Sequence, residues 1–442
     1  MSKISKFIHQ LSFDDLPEQV IHQSSICLLD LLGVAIAGHR TKSTAILLEF
    51  VGSQYPGSVP LLFSDKTASV SGAALFGGML IDSIDAHDGQ VLTKGHAGVA
   101  LLPSLLAIMH DKEGLDGKAL LTNLVLGYEI ATRAGIALHA TACDYHTSGA
   151  WNAIGATAMC ARVLGLSEAQ TLEALGTAEF YGPRSQMMRC IDYPTMVKDG
   201  SGWGALAGTS AALLAQLGFV GAPAISLLGD DVAQFWDDLG EHWYILDQYF
   251  KAYPVCRWAQ PAVEAVRQLT LLHEIDSKKI ESIDIFSFHE AKRLHTVRPE
   301  TTEEAQYSLP FSVASVLVDG TVTIESIAET KQGLNNSVRQ ALSAKVKIHE
   351  CDRYNDLFPA ERWAHAEIKM QSGECYKSSG MTALGDPENP LTLDQIQEKF
   401  HLLSQGAMKF KEREFIIESC INIKEAGVEQ LKEFKKLIYR AV

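Results

Sequence analysis

The residues best suited to chemistry lie in one short stretch, residues 82–98. It contains Asp82, Asp85, His87, Asp88, Lys94 and His96 together with three glycines. Apolar, small-residue segments precede and follow it, which predicts a polar loop between two buried helices. Because every buried polar group needs a partner, such a loop adds little to core stability, but it is well suited to holding acids and bases in fixed places. The alternative is a solvated loop whose polar residues cap the flanking helices.

A second set lies at Cys143–Gly149, directly before another predicted helix, and includes Tyr145 and His146. The dipole at a helix N-terminus disfavours imidazolium, so a neutral His146 could accept or donate a proton near neutral pH. The alternative is a histidine that caps the helix or fills the core.

Cations mark two further places. Arg184, Arg189 and Lys198 precede a glycine-rich helix start at residues 200–204, whose free N–H groups suit an anion. Arg257 lies at the predicted seam between two domains, where ligand clefts tend to form. The alternative for the first three is that they are surface cations.

Several other kinds of site fit poorly. Residues 200–204 lack the dinucleotide fingerprint and a surrounding βαβ unit. His87, His96 and His146 could join Asp85 and Asp88 around a metal, but no HxH or HxxxH pair places two ligands on one face, so we predict no metal site. No serine lies in a nucleophile elbow, which disfavours a hydrolytic triad.

Composition limits the partners and the compartment. The 442 residues are 47% hydrophobic and 21% charged, with a net charge of -15. This acidity argues against nucleic acid or an anionic membrane surface as a partner, and an anionic ligand would need local cations. Eight scattered cysteines without a CxxC pair indicate a reducing compartment. With no secretory signal and no apolar run of about 20 residues, we predict a cytoplasmic protein that is not a membrane protein.

The elements predicted to position these residues are mostly helices. Apolar periodicity and capping signals predict helices over Leu16–Ala37 (capped by Asp14 or Asp15), Ser69–Ile84, Lys118–Leu138, Ser148–Leu164, Gly202–Leu217 and from a capping box at Ser167–Gln170. Alternation predicts a strand at Ile280–Phe288 and a hairpin at 363–377. We therefore predict a mainly α fold: a large all-helical domain (1–258), an inserted smaller α+β lid (259–392), and C-terminal helices (393–442) that return to the helical domain.

Taken in order, these motifs resemble those of the MmgE/PrpD family. They are Asp85-Ala-His-Asp-Gly, Gly95-His-Ala-Gly, Tyr145-His-Thr-Ser-Gly, Met196-Val-Lys198, Tyr253-Pro-Val-Cys and the segments 298–309 and 317–320. The family includes 2-methylcitrate dehydratase, cis-aconitate decarboxylase and iminodisuccinate epimerase. The resemblance implies a helical domain with an inserted α+β lid, a homodimer, and no metal or organic cofactor. It also implies that Asp85, His96, His146 and Lys198 line the active site.

Three positions depart from the decarboxylase branch of that family. Gly89 stands where the branch has a threonine, Arg257 where it has a histidine, and Phe311 where it has a lid tyrosine. These departures weaken the case for assigning the decarboxylase substrate to this chain. They leave the general pocket intact.

The family reactions share one problem, because each develops negative charge on a carbon beside a carboxylate. We expect Lys198 and Arg257 to stabilise that charge, His96 and His146 to act as acid and base in an order left open, and Asp85 to orient an imidazole or share in proton transfer. The residues expected to bind substrate are Asp88, Tyr145, Arg184, Arg189 and Arg257. The sequence thus predicts a lyase that dehydrates a small di- or tricarboxylate of the 2-methylcitrate type. The alternatives are an epimerase or isomerase, a decarboxylase, and a non-catalytic binding protein on the same fold.

Overall fold

The computed structural model describes residues 2–442 and is mainly helical, with one four-stranded sheet. The helices before residue 260 are α1 (Lys3–Gln10), α2 (Glu18–Gly38), α3 (Lys42–Gln54), α4 (Val70–Asp82), α5 (Gly98–Ile108), α6 (Gly117–Thr141), α7 (Gly149–Leu164), α8 (Glu168–Tyr181), α9 (Met188–Asp192), α10 (Ser201–Gln216) and α11 (Ile225–Leu228). The later helices are α12 (Gln260–Leu272), α13 (His289–Lys292), α14 (Thr302–Gln306), α15 (Leu309–Asp319), α16 (Ile324–Ile327), α17 (Ser337–Ser343), α18 (Asp352–Leu357), α19 (Leu393–Ser404), α20 (Phe410–Ile421) and α21 (Val428–Ile438). The strands are β1 (Val59–Pro60), β2 (Thr67–Ala68), β3 (Gly89–Gln90), β4 (Gln248–Tyr249), β5 (Ile280–Ser287), β6 (Val346–Glu350), β7 (Ala364–Met370) and β8 (Cys375–Lys377). The predicted mainly α fold with a smaller α+β part is confirmed.

Helices α4, α5, α7 and α10 pack closely at the centre of the helical part. Small residues allow this, and the clearest case joins α4 to α10. A Cβ added at Gly78 would lie 2.7 Å from the Cα of Gly202, so the two backbones approach directly. Glycine inside a helix costs about 1 kcal/mol relative to alanine, and this close packing offsets the cost.

Two predicted helix starts have different outcomes. The capping box at Ser167 and Gln170 opens α8 as predicted. The predicted cap of α2 is wrong, because α2 begins at Glu18 after Pro17. Asp15 instead ends a short 3-10 turn, where its carboxylate accepts a hydrogen bond from the backbone N–H of Ser12 at 2.8 Å.

Among the described residues, only α2 is long and apolar enough to cross a membrane by length and composition. Of the 18 residues in its most apolar stretch, 83% are buried inside the fold. It packs against α4, α19 and α20, and burial of this kind is typical of the core helix of a folded domain.

The sheet has the order β6-β5-β7-β8. The β5–β6 pair is parallel, whereas β5–β7 and β7–β8 are antiparallel. The predicted strand and hairpin are confirmed as β5 and β7–β8, and α12 packs against β7 and α15. After the sheet, α19 and α20 lie against α2. The domain boundaries after residues 258 and 392 stay predictions.

A two-residue antiparallel ladder joins distant parts of the chain. Strand β3 pairs with β4, with Gly89 opposite Tyr249 and Gln90 opposite Gln248. Two-residue strands are too short to carry an alternating pattern, so they are not predictable from the sequence. The ladder holds the 82–98 loop against the segment that contains Lys251.

Candidate active site

The centre of the site is a buried ion pair between Asp85 and Lys251. Asp85 follows α4, and the β3–β4 ladder brings Lys251 to it, so that Lys251 Nζ contacts Asp85 Oδ1. Lys251 is 1% exposed and Asp85 is 4% exposed. Lys251 was not among the site residues predicted from the sequence. Its one signal was a lysine inside the aromatic run Tyr249-Phe-Lys-Ala-Tyr253.

Both partners of this pair are held in their charged forms. Burial acts to raise the pKa of Asp85, but Lys251 and then Lys198 outweigh it and lower that pKa well below its usual range. Burial also acts to lower the pKa of Lys251, and the Asp85 carboxylate outweighs it and raises that pKa. The site therefore contains a fixed ammonium and a fixed carboxylate in a dry environment.

Lys198 reaches the same cluster through an amide. Gln306, at the end of α14, accepts hydrogen bonds at Oε1 from Lys198 Nζ at 2.6 Å and from the backbone N–H of Asp85 at 2.8 Å. Lys198 Nζ also lies 5.0 Å from the centre of the Tyr307 ring. Lys198 is buried in the turn before α10 with a φ of 52°, a left-handed conformation that is costly for a lysine.

His96 is held as a neutral imidazole with a defined tautomer. Its Nδ1 lies 2.6 Å from the backbone carbonyl oxygen of Asp88, which can only accept, so Nδ1 carries the proton and Nε2 keeps its lone pair. Burial lowers the pKa of His96 well below its usual range, and Lys251 and His87 lower it further. Ser148, before α7, fixes the His96 backbone by accepting its N–H at 2.9 Å.

His146 lies beside this cluster without contacting it. Its Nδ1 donates to the carbonyl oxygen of Asp144 at 2.8 Å, and its ring stacks on that of His139 with centroids 6.5 Å apart. Among residues 2–442, no hydrogen bond or ring contact joins it to Asp85, His96 or Lys198. The structure therefore brings three of the four predicted catalytic residues together, and a catalytic role for His146 stays a prediction.

The residues predicted to bind substrate occupy different environments. Arg257 is buried and contacts Asp386, with its guanidinium 4.5 Å from the centre of the Tyr249 ring. Tyr145 donates its hydroxyl hydrogen to the carbonyl oxygen of Lys94. These two residues therefore lie near the cluster, on the side facing β4.

The other three predicted binding residues lie elsewhere. Asp88 turns its carboxylate into the helical core, where Tyr128 donates to it at 2.8 Å, so the geometry favours a positioning role through its backbone carbonyl over substrate contact. Arg184 and Arg189 are exposed, and Arg189 lines the cavity described next.

A cavity of about 350 Å³ opens beside Lys198. Its wall includes Thr147, Arg189, Cys190, Tyr193, Lys198 and Trp203. Lys198 donates to Gln306, which also accepts from the backbone N–H of Asp85. The cavity therefore lies next to the buried cluster and shares Lys198 with it.

Two of the departures from the decarboxylase branch can be located. Phe311 is buried in α15 next to Arg339, and its correspondence to the lid tyrosine stays a prediction. The tyrosine beside Lys198 is Tyr307, four residues earlier. Gly89 faces His96 and the Tyr249 hydroxyl, and a Cβ at this position would lie only 2.7 Å from His96 Nδ1. The wall of this site therefore requires glycine.

One set of potential metal ligands exists in the described chain. Ligand atoms of Asp85, His87 and His96 all lie within 4.8 Å of one another. Lys251 already contacts Asp85 Oδ1, so a cation at this position would compete with that ammonium for the carboxylate. Lys251 supplies at this place the positive charge that a metal would otherwise bring.

The fold and site define a class: a mainly helical protein with a smaller α+β part, in which buried lysines, a carboxylate and a neutral imidazole converge near the junction of the two parts. Residues 2–234 match the MmgE/PrpD N-terminal domain and residues 253–423 match the MmgE/PrpD C-terminal domain. The chain belongs to the MmgE/PrpD family.

Three relatives are similar to this chain over nearly its whole length. The cis-aconitate decarboxylase of Mus musculus is 25% identical over 420 residues, covering 89% of this chain and 84% of the relative. That of Homo sapiens is 23% identical over 458 residues, covering 95% and 90%. The cis-aconitate decarboxylase-like protein oryM of Aspergillus oryzae is 22% identical over 467 residues, covering 96% and 95%.

Proposed function

We propose that this protein is a cofactor-independent lyase that dehydrates a small hydroxy-polycarboxylate of the 2-methylcitrate type. The observation that carries the proposal is the convergence of two buried ammonium groups, Lys198 and Lys251, with the neutral imidazole of His96 around Asp85. The chain as a whole carries a net charge of -15. A local excess of cations inside such a chain suits an anionic substrate.

The first chemical step removes a proton from a carbon beside a carboxylate. His96 Nε2 is the base, because its Nδ1 proton is held by the Asp88 carbonyl and its lone pair is free. Negative charge then spreads into the neighbouring carboxylate, where Lys198 and Lys251 stabilise it. Fixed ammonium groups in a dry site are effective there because they need no reorganisation during the reaction.

The second step expels the hydroxyl group, which must leave as water. Lys198 is our choice of proton donor, because its hydrogen-bond partner Gln306 is a neutral amide that does not hold the proton. Asp85 keeps Lys251 protonated and in position, so Lys251 continues to stabilise the negative charge while Lys198 donates its proton. His146 is the alternative donor.

Decarboxylation of a cis-aconitate-like acid is the second candidate, and the names of the relatives favour it. Loss of carbon dioxide also leaves a carbanion beside a carboxylate, so the same lysines would serve. Against it stand Gly89 and Arg257, where the resemblance implies threonine and histidine. Epimerisation through two bases and a non-catalytic binding role are the remaining alternatives.

The test is a panel of hydroxylated di- and tricarboxylates, together with cis-aconitate, incubated with the protein in deuterium oxide. Dehydration produces an alkene that absorbs near the ultraviolet edge, epimerisation places deuterium on the α-carbon without loss of water, and decarboxylation releases carbon dioxide. We expect alkene formation, with the rate lowered about 10²–10⁴-fold in His96→Asn. The variant His110→Asn, at a partly exposed histidine outside the site, serves as the matched control and keeps the wild-type rate.

Two outcomes would overturn the proposal. Release of carbon dioxide without alkene-forming water loss would replace it with the decarboxylase. Acids that raise the melting temperature without any turnover would favour the binding protein. We also propose a homodimer in the cytoplasm, and light scattering on the purified protein tests the dimer.

A further inference from the structure

Two arginines are buried side by side near the active site. Arg257 begins a 3-10 turn before α12 and is 6% exposed, and Arg362 lies between α18 and β7 and is 4% exposed. Burial first, and then the charge of Arg257, lower the pKa of Arg362 to about 10. Two guanidinium groups that repel each other away from water need negative charge nearby.

The described chain supplies this negative charge incompletely. Asp386 accepts from Arg257 Nε at 2.9 Å and also contacts Nη2. Three N–H-bearing atoms, Arg257 Nη1 and Arg362 Nε and Nη1, are buried without a partner among residues 2–442. Leaving charged donors buried and unsatisfied is costly, so such groups call for a functional explanation.

Other buried arginines of this protein are better satisfied. Arg339 donates to the carbonyl oxygens of Gln332 and Gly333, both at 2.6 Å, and contacts Asp319, and only its Nε lacks a partner. The Arg257–Arg362 pair therefore differs from an ordinary buried arginine in this chain, because it retains unused donors on two adjacent groups.

The pair lies one aromatic ring away from the base. The Tyr249 ring is 4.5 Å from the Arg257 guanidinium, and its centroid is 6.3 Å from that of His96. A substrate carbon at His96 can thus carry a second carboxylate towards the two arginines. Guanidinium donors match the planar geometry of a carboxylate.

We propose that Arg257 and Arg362 together bind a carboxylate of the substrate other than the one beside the reacting carbon. The subsite makes the protein selective for tricarboxylates over dicarboxylates. The inference rests on the proposed function for the position of the reacting carbon, and it adds Arg362, a residue of the α+β part, to the binding residues.

The experiment measures equilibrium binding by calorimetry, with propane-1,2,3-tricarboxylate and butanedioate as probes. We expect Arg362→Gln to weaken tricarboxylate binding roughly 10- to 100-fold, the scale of hydrogen bonds to a charged group, and to change dicarboxylate binding by less than about threefold. Arg339→Gln is the matched control, a buried arginine of the same part of the chain, and should leave the ratio of the two affinities unchanged. Equal losses for both probes, or no loss, overturn the subsite.

A second measurement covers the case in which Arg362→Gln does not fold. A crystal structure of the wild-type protein with propane-1,2,3-tricarboxylate should show carboxylate oxygens within hydrogen-bond distance of Arg257 Nη1 and of Arg362 Nε or Nη1. A ligand bound elsewhere overturns the proposal.

The outcomes also separate this inference from the proposed reaction, because binding does not require turnover. If the protein is inactive but its preference for tricarboxylates depends on Arg362, the subsite is supported and the lyase proposal is not. If the protein is an active lyase but the ratio of its two affinities does not depend on Arg362, the lyase proposal is supported and the subsite is not.

Discussion

Two lysine–aspartate pairs are buried at the 82–98 loop, and only one of them belongs to the candidate site. Lys251 contacts Asp85 next to His96. Lys399, in α19, lies 2.6 Å from Asp30 Oδ1 and 2.6 Å from the carbonyl oxygen of Ala86. The two pairs have the same chemistry and similar burial, and their surroundings differ.

The difference lies in the charges that surround each pair. Around the Asp85 pair, Lys198 is close and helps to keep the pKa of Asp85 low. The neighbouring carboxyl group of Asp199 has a pKa that burial and Asp82 raise to about 8, so it tends to keep its proton and adds little negative charge. Around the Asp30 pair the additional group is another carboxyl, Asp88. Burial first, and then Asp30, raise the pKa of Asp88 to about 7. Asp85 and Asp88, three residues apart, are therefore driven towards opposite protonation states.

A buried ion pair is thus weak evidence of function by itself. An excess of cations creates a place where an anion can bind, whereas an excess of carboxyl groups makes one of them retain its proton and act structurally. Charge balance around each pair separates the candidate site from the core.

Removing the ammonium group from each pair should give the largest effect, and it tests most directly whether the two pairs differ in function. Lys251→Met leaves Asp85 without its closest counter-charge, and we expect a loss of about 3–5 kcal/mol in the free energy of unfolding and of about 10²–10³-fold in turnover. Lys399→Met should lose similar stability, yet folded protein should keep turnover within a few-fold. Urea unfolding and steady-state kinetics measure the two effects.

The double variant Asp85→Asn/Lys251→Met is the control for stability. Removing both charges should recover much of the lost free energy without restoring turnover. If Lys251→Met and Lys399→Met reduce the turnover of folded protein equally, the distinction between a site pair and a core pair does not hold.

Gly89 lies in the loop between the two pairs and gives a smaller, more local test. Gly89→Ala places a Cβ 2.7 Å from His96 Nδ1 and against the Tyr249 hydroxyl, so we expect a loss of about 1–3 kcal/mol in stability and a clear fall in kcat. Gly52→Ala, in α3 with no atom within 4 Å of the added Cβ, is the matched control and should be neutral or slightly stabilising. An unchanged kcat in Gly89→Ala would mean that His96 does not need its present position.

The sequence was sufficient for features that depend on neighbouring residues. The capping box at Ser167 and the alternation at Ile280–Phe288 predicted α8 and β5, because capping and side-chain alternation are local properties. The motif order also indicated Asp85, His96 and Lys198, which the structure brings into one cluster.

The sequence was insufficient where a residue arrives by a long-range contact. Lys251 is brought to Asp85 by a two-residue ladder, and Gln306 bridges Asp85 and Lys198 with an uncharged amide. Neither feature has a local signature. Arg362 gave a weak signal as an arginine before Trp363 at a strand start, but nothing in the sequence states that its donors would be buried beside Arg257.

The smallest expected effect on turnover concerns the proton on Asp88. Its pKa in the folded protein is about 7 against an ordinary value of 3.8, so between these values the folded chain binds more protons than the unfolded chain. Stability therefore falls as the pH rises through this window, by on the order of 1 kcal/mol per pH unit, and levels off above it. Asp88→Asn removes this dependence and still offers an amide oxygen to Tyr128.

Urea unfolding of both proteins from about pH 5 to about pH 8 measures the difference. The free energy of unfolding of the variant, relative to that of the wild type, should increase as the pH rises to about 7. Above that value the difference between the two proteins should stay constant. Turnover should change by only a few-fold, because His96 is held by the backbone carbonyl of residue 88, which the substitution keeps. Parallel stability curves over the whole range would mean that Asp88 is ionised like Asp85, and the two carboxyl groups would then not differ in protonation.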